Sequence, residues 1–247
     1  MDDYSTETRR RPRWPEDLHA IHGLLGVCHL LVEAPGVVIL DTGFLGHGFL
    51  IRRRLKRLGF GPRDIRAILL THGHLDHTTN LASLKAWSGA PVYAHAAEQA
   101  HVDGTYPYRG AARWCGRLEA LGRAVFSYRS TPIDVTISDG DELPFWGGLR
   151  IVHLPGHTDG HCGFYSAKRE LLFTGDLFAH VFFRTHLPPS FLNSEPRQIR
   201  ASLVKAKSLA ARWIVPNHYD ESDAILQRRR FEYLCGHELR LDERKVV

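Results

Sequence analysis

Thr71-His72-Gly73-His74-Leu75-Asp76-His77 gathers three imidazoles and one carboxylate into one short stretch. It follows an apolar run, Ala67-Ile68-Leu69-Leu70, that reads as a short buried strand. In extended backbone His72 and His74 point to the same side, because side chains alternate with period two. Asp76 and His77 then come from the turn beyond. Gly73 lets the backbone pass close to whatever the two histidines hold. Imidazole nitrogen with carboxylate oxygen suits zinc, iron or manganese. The chain has 16 histidines in 247 residues, so a His-x-His pair alone says little. The whole motif behind an apolar strand says much more, provided further ligands appear downstream.

Three further candidates appear, each just past a strand-like run. Leu154-Pro155-Gly156-His157-Thr158 ends the run from Leu149. The turn Thr174-Gly175-Asp176 follows Leu171-Leu172-Phe173. Pro216-Asn217-His218 follows Arg212-Trp213-Ile214-Val215. Strand ends are where sites on α/β scaffolds usually lie. With these motifs in this order, the chain resembles the metallo-β-lactamase-fold hydrolase superfamily from roughly residue 20 to residue 220. The resemblance implies an α+β (α/β) fold, a four-layer α/β/β/α sandwich with a dinuclear metal site at one edge of the two sheets. It implies that His72, His74 and His157 hold one ion, that Asp76, His77 and His218 hold a second, and that Asp176 bridges both. It also places Asp41, in the turn Asp41-Thr42-Gly43, beside the metals as a carboxylate that orients a ligand imidazole; Asp159 is a second candidate for that task. His161 resembles the family's Gly-His-x-x-Gly-His variant, and is open between supporting the site and simple packing. Two features depart from the family pattern: Thr78-Thr79-Asn80 replaces small glycines after the first motif, and Asn217 and Tyr219 flank His218.

Composition sets wider bounds. The 28.0 kDa chain is long enough for one large domain with a core. It is 43% hydrophobic and 24% charged, ordinary for a globular protein. No apolar run approaches the ~18 residues of a membrane span. Residues 1–16 are polar, carry Arg9-Arg10-Arg11-Pro12-Arg13, and do not read as a signal peptide. Cys28, Cys115, Cys162 and Cys235 lie far apart without a Cys-x-x-Cys, so free thiols in a reducing cytoplasm are the expectation. The net charge of +5 is mild and slightly favours an anionic substrate; the arginines are scattered, which speaks against a nucleic-acid surface, and a small-molecule substrate is the expected partner. A homodimer is compatible with the chain.

The expected organisation is a polar tail over 1–19, one domain over 20–241, and a frayed end over 242–247. Strands are expected at Val27–Glu33 and Val37–Leu40, joined by the turn Pro35-Gly36, then at Pro91–Ala94 and Val135–Ile137. Helices are expected at Leu45–Leu58 and Thr78–Ser88. A further one starts from Ser194, with Ile199, Leu203, Ala206, Leu209, Ala210 and Trp213 on its apolar face, and a last one runs from Ser222 through Cys235. The stretch 102–131 is a candidate lid or insert. Its Trp114, Leu118 and Leu121 form a stripe at helical spacing, expected to be buried, with Arg109, Arg113, Arg117 and Arg123 beside it.

The chemistry implied is hydrolysis. Two divalent ions, zinc first with iron or manganese as alternatives, can lower the pKa of a shared water to ~7. The resulting hydroxide attacks the substrate, Asp76 orients it by a hydrogen bond, and Asp176 fixes the ions. Phe178, His180, Phe182 and Arg184, in the loop expected after Asp176, are candidate substrate contacts. Subfamily marks narrow the substrate. Glutathione thioesterases carry a further C-terminal helical region, for which the chain after His218 looks too short. Quorum-signal lactonases carry a tyrosine where Ala179 stands. RNA-processing members add a large domain or arm, and secreted β-lactamases need an export signal. A small ester, thioester or lactone remains the expected substrate. A phosphodiester is the alternative, and a mononuclear iron sulfur-dioxygenase or a non-catalytic metal protein ranks below both.

Overall fold

Alternation along the strands builds the molecule. In the computed structural model, which describes residues 14–182, 184–209, 211–219 and 224–243, β1 (Leu18–Gly23), β2 (Gly26–Glu33), β3 (Gly36–Leu40), β4 (Ile65–Leu69), β5 (Val92–His95) and β6 (Val135–Ile137) form one sheet in sequence order. The second sheet holds β7 (Glu142–Leu143), β8 (Leu149–His153), β9 (Cys162–Ser166), β10 (Leu171–Val181) and β11 (Arg184–His186), with β12 (Trp213–Tyr219) parallel to β10. Leu31, Val38, Leu40 and Leu69 meet Ile151, Phe164, Phe173 and Val215 between the sheets. Their strand neighbours Leu30, Ile39 and Ile68 turn outward onto Ile51 and Leu55 of α1 (His47–Arg57) and onto Leu81 and Leu84. On the far side Val152, Leu172 and Ile214 pack on Ile199, Leu203 and Ala206 and on Phe231 and Leu234. Period-two apolarity in both sheets therefore gives helix, sheet, sheet, helix. This is the expected four-layer sandwich. Each fully buried Leu or Phe contributes about 1.5–3 kcal/mol.

The helices depart from the sequence reading in detail. The second expected helix is two pieces, α2 (Leu75–Thr78) and α3 (Leu81–Ser88), split at Asn80. Asn80 donates to the carbonyls of Thr42, Gly43 and Phe44, tying the metal-loop helix to the Asp41 turn. α4 (Gln99–Asp103) and α5 (Arg113–Val125) follow, then α6 (Ile199–Ser208) and α7 (Ala224–Glu243). α6 ends before Leu209, and Trp213 opens β12 instead of closing a helix face. Ala210 and Ser222 lie outside the described residues, as do the N-terminal arginines. The expected tail reached residue 19, but Leu18 and His19 already pair with Leu31 and Leu30 in β1. Asp242 and Glu243, expected to fray, belong to α7.

α5 overturns one expectation outright. Trp114, Leu118 and Leu121 are 61%, 58% and 63% exposed, so the apolar stripe faces out. The inner side is held by polar anchors instead. Glu119 accepts from the Leu75 N–H and pairs with Arg123 at 2.8 Å. Arg123 also caps the carbonyls of His101 and Val102. Side-chain periodicity shows that a face is apolar; only the partners across the helix decide which face turns inward. No helix among the described residues is long and apolar enough to cross a membrane.

Candidate metal centre

Four strands, β4, β8, β10 and β12, bring the candidate ligand side chains to one edge of the sandwich. β4 delivers the loop with His72 and His74, and α2 presents Asp76 and His77. The turn after β8 delivers His157, and β12 carries His218. Asp176 was expected in a turn but sits inside β10, where register shifts at Gly175 bulge the strand. Bulges beside sites re-aim a side chain, and here the bulge turns Asp176 toward the histidines.

The ligand atoms fall into two groups, His72, His74 and His157, and Asp76, His77, Asp176 and His218, each within 4.8 Å internally. The Asp176 carboxylate faces both. Its Oδ2 lies 2.9 Å from His218 Nε2, 3.5 Å from His157 Nε2 and 4.0 Å from His72 Nε2, and its Oδ1 lies 3.4 Å from His77 Nε2. His218 Nε2 is also 3.4 Å from Asp76 Oδ2. His72 Nε2, His77 Nε2 and Asp176 Oδ1 are buried without a hydrogen-bond partner. Buried polar atoms left unmet are costly, and lone pairs converging from imidazole and carboxylate are what a divalent cation satisfies. The residues present fit metal ions.

Electrostatics separates the groups. Burial first, and neighbouring imidazoles after it, holds His72 and His74 well below the usual histidine range, so both are neutral donors. Burial opposes charge on His77 and His218 too, but Asp176 and Asp76 outweigh it: His77 is raised well above its ordinary value, and His218 is raised to about 10.

Four of these side chains, His72, His77, His157 and Asp176, are held from behind. His72 Nδ1 donates to Thr71 Oγ1 (3.0 Å), which donates to Asp41 Oδ2 (2.8 Å). Asp41 also accepts from the Thr71 N–H and from Asn217, and lies 3.2 Å from His77 Nδ1. Asp41 holds this place with φ of 59°, a strained value that Asp tolerates better than most residues. The sequence reading of Asp41 thus meets its geometry, whereas Asp159 is exposed and accepts from the Tyr106 hydroxyl instead. His157 Nδ1 donates to Asn193 Oδ1 at 2.9 Å. His161, open in the sequence, supports the site: Nδ1 donates to the Leu154 carbonyl and Nε2 accepts the Asp176 N–H, both at 2.9 Å. Burial, with His157 beside it, pulls His161 down to about 3, and the neutral ring can therefore accept. Asn193 escaped the sequence reading because nothing near it in the chain marks it. Asn217 was visible only as a departure from the family pattern.

A cavity of about 370 Å³ opens onto both groups through His74, Asp76, His157, Asp176 and His218. Its walls are Leu25, Phe178, Ala179, Val181, Pro188, Pro189 and Leu192, with Cys115, Glu119 and His186. Of the four expected substrate contacts only Phe178 lines it. The stretch is a strand and hairpin, not a loop. Ala179 and Val181 line the cavity, whereas His180 does not and meets Thr185 Oγ1 at 2.8 Å. Phe182 stands 88% exposed at the hairpin tip, and Arg184 is exposed. The 102–131 stretch does contribute wall, through Cys115 and Glu119. Cys28, Cys115, Cys162 and Cys235 are free and buried, and burial raises Cys162 far above a reactive thiol.

The metallo-beta-lactamase superfamily profile matches residues 23–218, and the chain belongs to this superfamily. An uncharacterized protein of Mycobacterium tuberculosis is 34% identical over 224 residues, 87% of this chain and 95% of that one. A hydroxyacylglutathione hydrolase of Haemophilus influenzae is 28% identical over 174 residues, covering 70% of this chain and 76% of its own. A metallo-beta-lactamase family protein of Thermus thermophilus shares the fold at a TM-score of 0.70, with 24% identity over 92% of this chain and 81% of that one. TTHA1623, solved in a di-iron-bound form, matches at 0.64 with 25% identity, over 87% of this chain and 97% of its own.

Proposed function

We propose that the chain is a dinuclear metallo-hydrolase of small esters, thioesters or lactones. The cavity carries this reading: both ligand groups form its floor, its walls are largely apolar, and no Lys or Arg lines it among the described residues. A phosphodiester needs cations or N–H groups for its non-bridging oxygens. The nearest arginines do not serve, since Arg123 is spent on Glu119 and Arg113, Arg117 and Arg184 are exposed. An acyl group needs only an apolar wall beside the reacting carbonyl. His72, His74 and His157 would hold one ion, Asp76, His77 and His218 the other, with Asp176 shared between them. Bound there, two divalent ions would lower the pKa of water toward ~7 and polarise the oxygen under attack. Asp76, 26% exposed at the side chain, is the more open carboxylate and would accept a hydrogen bond from the attacking water. The apolar wall holds the acyl part and keeps bulk water off.

Chain length had set glutathione thioesters aside, but the relative named hydroxyacylglutathione hydrolase matches over most of its own length. That exclusion is withdrawn, and the name supports the thioester class. Zinc is the metal we favour; the di-iron form of TTHA1623 makes iron the first alternative.

Elemental analysis of gently purified protein should give close to two ions per chain. A value that stays at one after metal supplementation would sink the dinuclear assignment and favour the dioxygenase chemistry. A panel of aryl acetates, acyl thioesters including a 2-hydroxyacyl glutathione, lactones and a bis-aryl phosphate tests the substrate class. The acyl compounds should show the higher metal-dependent kcat/KM. Phosphodiester turnover above all of them, abolished by His74→Ala, would promote the alternative.

A further inference from the structure

One buried acid lies outside the ligand set. Glu98, fully buried, sits just beyond β5 in a short 3-10 turn. Its Oε2 accepts the Gly73 N–H at 2.6 Å, and its Oε1 accepts the Gly160 N–H at 2.8 Å. Gly73 stands between His72 and His74; Gly160 closes the turn that carries His157. One carboxylate therefore joins loops that are 62 residues from it on one side and 25 on the other.

The packing admits this acid closely. A Cβ at Gly73 would come within 2.7 Å of His101 Cβ and 3.0 Å of the Glu98 carbonyl oxygen, and one at Gly160 within 2.7 Å of Glu98 Oε1. Both loops are glycine where they meet this turn because nothing larger fits. No cation pairs with Glu98 among the described residues. Burial raises its pKa to about 7. A buried carboxylate without a cation is a cost to stability, offset here by two backbone N–H donors that both of its oxygens are placed to meet, one from each loop.

We propose that Glu98 is a positioning residue that locks the His72–His74 loop to the His157 loop, so that three imidazoles converge on one ion. The proposal rests on the metal-site reading above. It assigns Glu98 to the three-histidine group, since its two contacts fall on the loops that carry those histidines; His218 stands apart on β12, and Asp76 and His77 on α2, which His74 caps.

The test is a Co(II) titration of metal-free full-length chain against a competing chelator, followed by the cobalt absorption bands. Glu98→Gln keeps the size but sets an amide N–H against a backbone N–H. Glu98→Asp keeps the charge but is one methylene too short to reach both loops. Both should remain folded by circular dichroism. Both should lose about 10–100-fold in affinity for one of two cobalt ions, with altered bands, while the other ion binds as in wild type. If Glu98→Gln fails to fold, Glu98→Asp carries the comparison. Wild-type affinity and bands in the folded variants, with only the unfolding temperature changed, would reduce Glu98 to a structural role and overturn the proposal. Wild-type protein that binds no cobalt would instead overturn the metal-site reading, and this proposal with it.

Discussion

Asp176→Asn yields a folded chain that retains one ion at most and turns over acyl substrate more slowly by more than the ~10–100-fold that loss of an outer partner costs. The argument is positional. One carboxylate oxygen of Asp176 faces His157, His72 and His218, and the other faces His77. A carboxamide keeps the volume but removes the charge and turns one acceptor into a donor. Two dications near each other repel, and a shared anion offsets that repulsion and sets their spacing. Without it the group of Asp76, His77 and His218 has one carboxylate for its ion, and the second ion is the one lost. The fold has no such dependence: β10 is held by its ladders to β9 and β12 and by Leu172 and Phe173 in two cores. Asp41→Asn is the matched control. It leaves every ligand in place and loosens His77 and the Thr71 relay, so its loss should stay inside the ~10–100-fold range. Metal analysis with kcat on the two variants decides the point. Equal and small losses from both would mean that Asp176 is not shared between two ions.

The histidines and aspartates that the structure brings together were legible in the sequence because each follows an apolar run and carries a side chain rare in cores. His72 through His77 announces itself, and His157, Asp176 and His218 each end a short strand pattern. The sandwich was legible as a resemblance, and its alternation is visible afterwards in Leu30 and Leu31 or Leu172 and Phe173. What supports the ligands was not legible. Asn193 reaches His157 across 36 residues and Glu98 reaches Gly160 across 62, and one chain gives no hint of either contact. The substrate contacts failed for a different reason. Thr174-Gly175-Asp176 reads as a turn, which makes the residues after it read as a loop over the site. The strand continues through a bulge, and strand geometry sends His180 away and puts Phe182 at an outer tip. α5 failed likewise: Glu119 and Arg123 anchor it by polar contacts, which apolar periodicity does not weigh.

That bulge supplies the other large effect. Gly175 has φ of 54°. A Cβ there would come within 2.4 Å of His161 Nε2 and 3.1 Å of Thr71 Cβ. Gly175→Ala therefore meets two costs. A residue with a Cβ in left-handed backbone is strained by about 1–3 kcal/mol, which lowers Tm by on the order of 5 °C in a chain of this size. The clash also displaces His161, which cannot retreat easily because Nδ1 is bonded to the Leu154 carbonyl. His161 Nε2 holds the Asp176 N–H, so the shared carboxylate moves with it. Activity should fall on the order of 100-fold or more, since the loss reaches a ligand and not only its support. The double variant Gly175→Ala with His161→Ala separates the two costs. Removing the ring relieves the clash, so Tm should recover part of its loss. Activity should not recover, because the Asp176 N–H then has no acceptor and the carboxylate is no longer aimed. Thermal unfolding of the metal-free proteins and kcat of the metal-loaded ones are the measurements. Gly175→Ala with wild-type kcat would show that the bulge tolerates a side chain, and that His161 does not position Asp176.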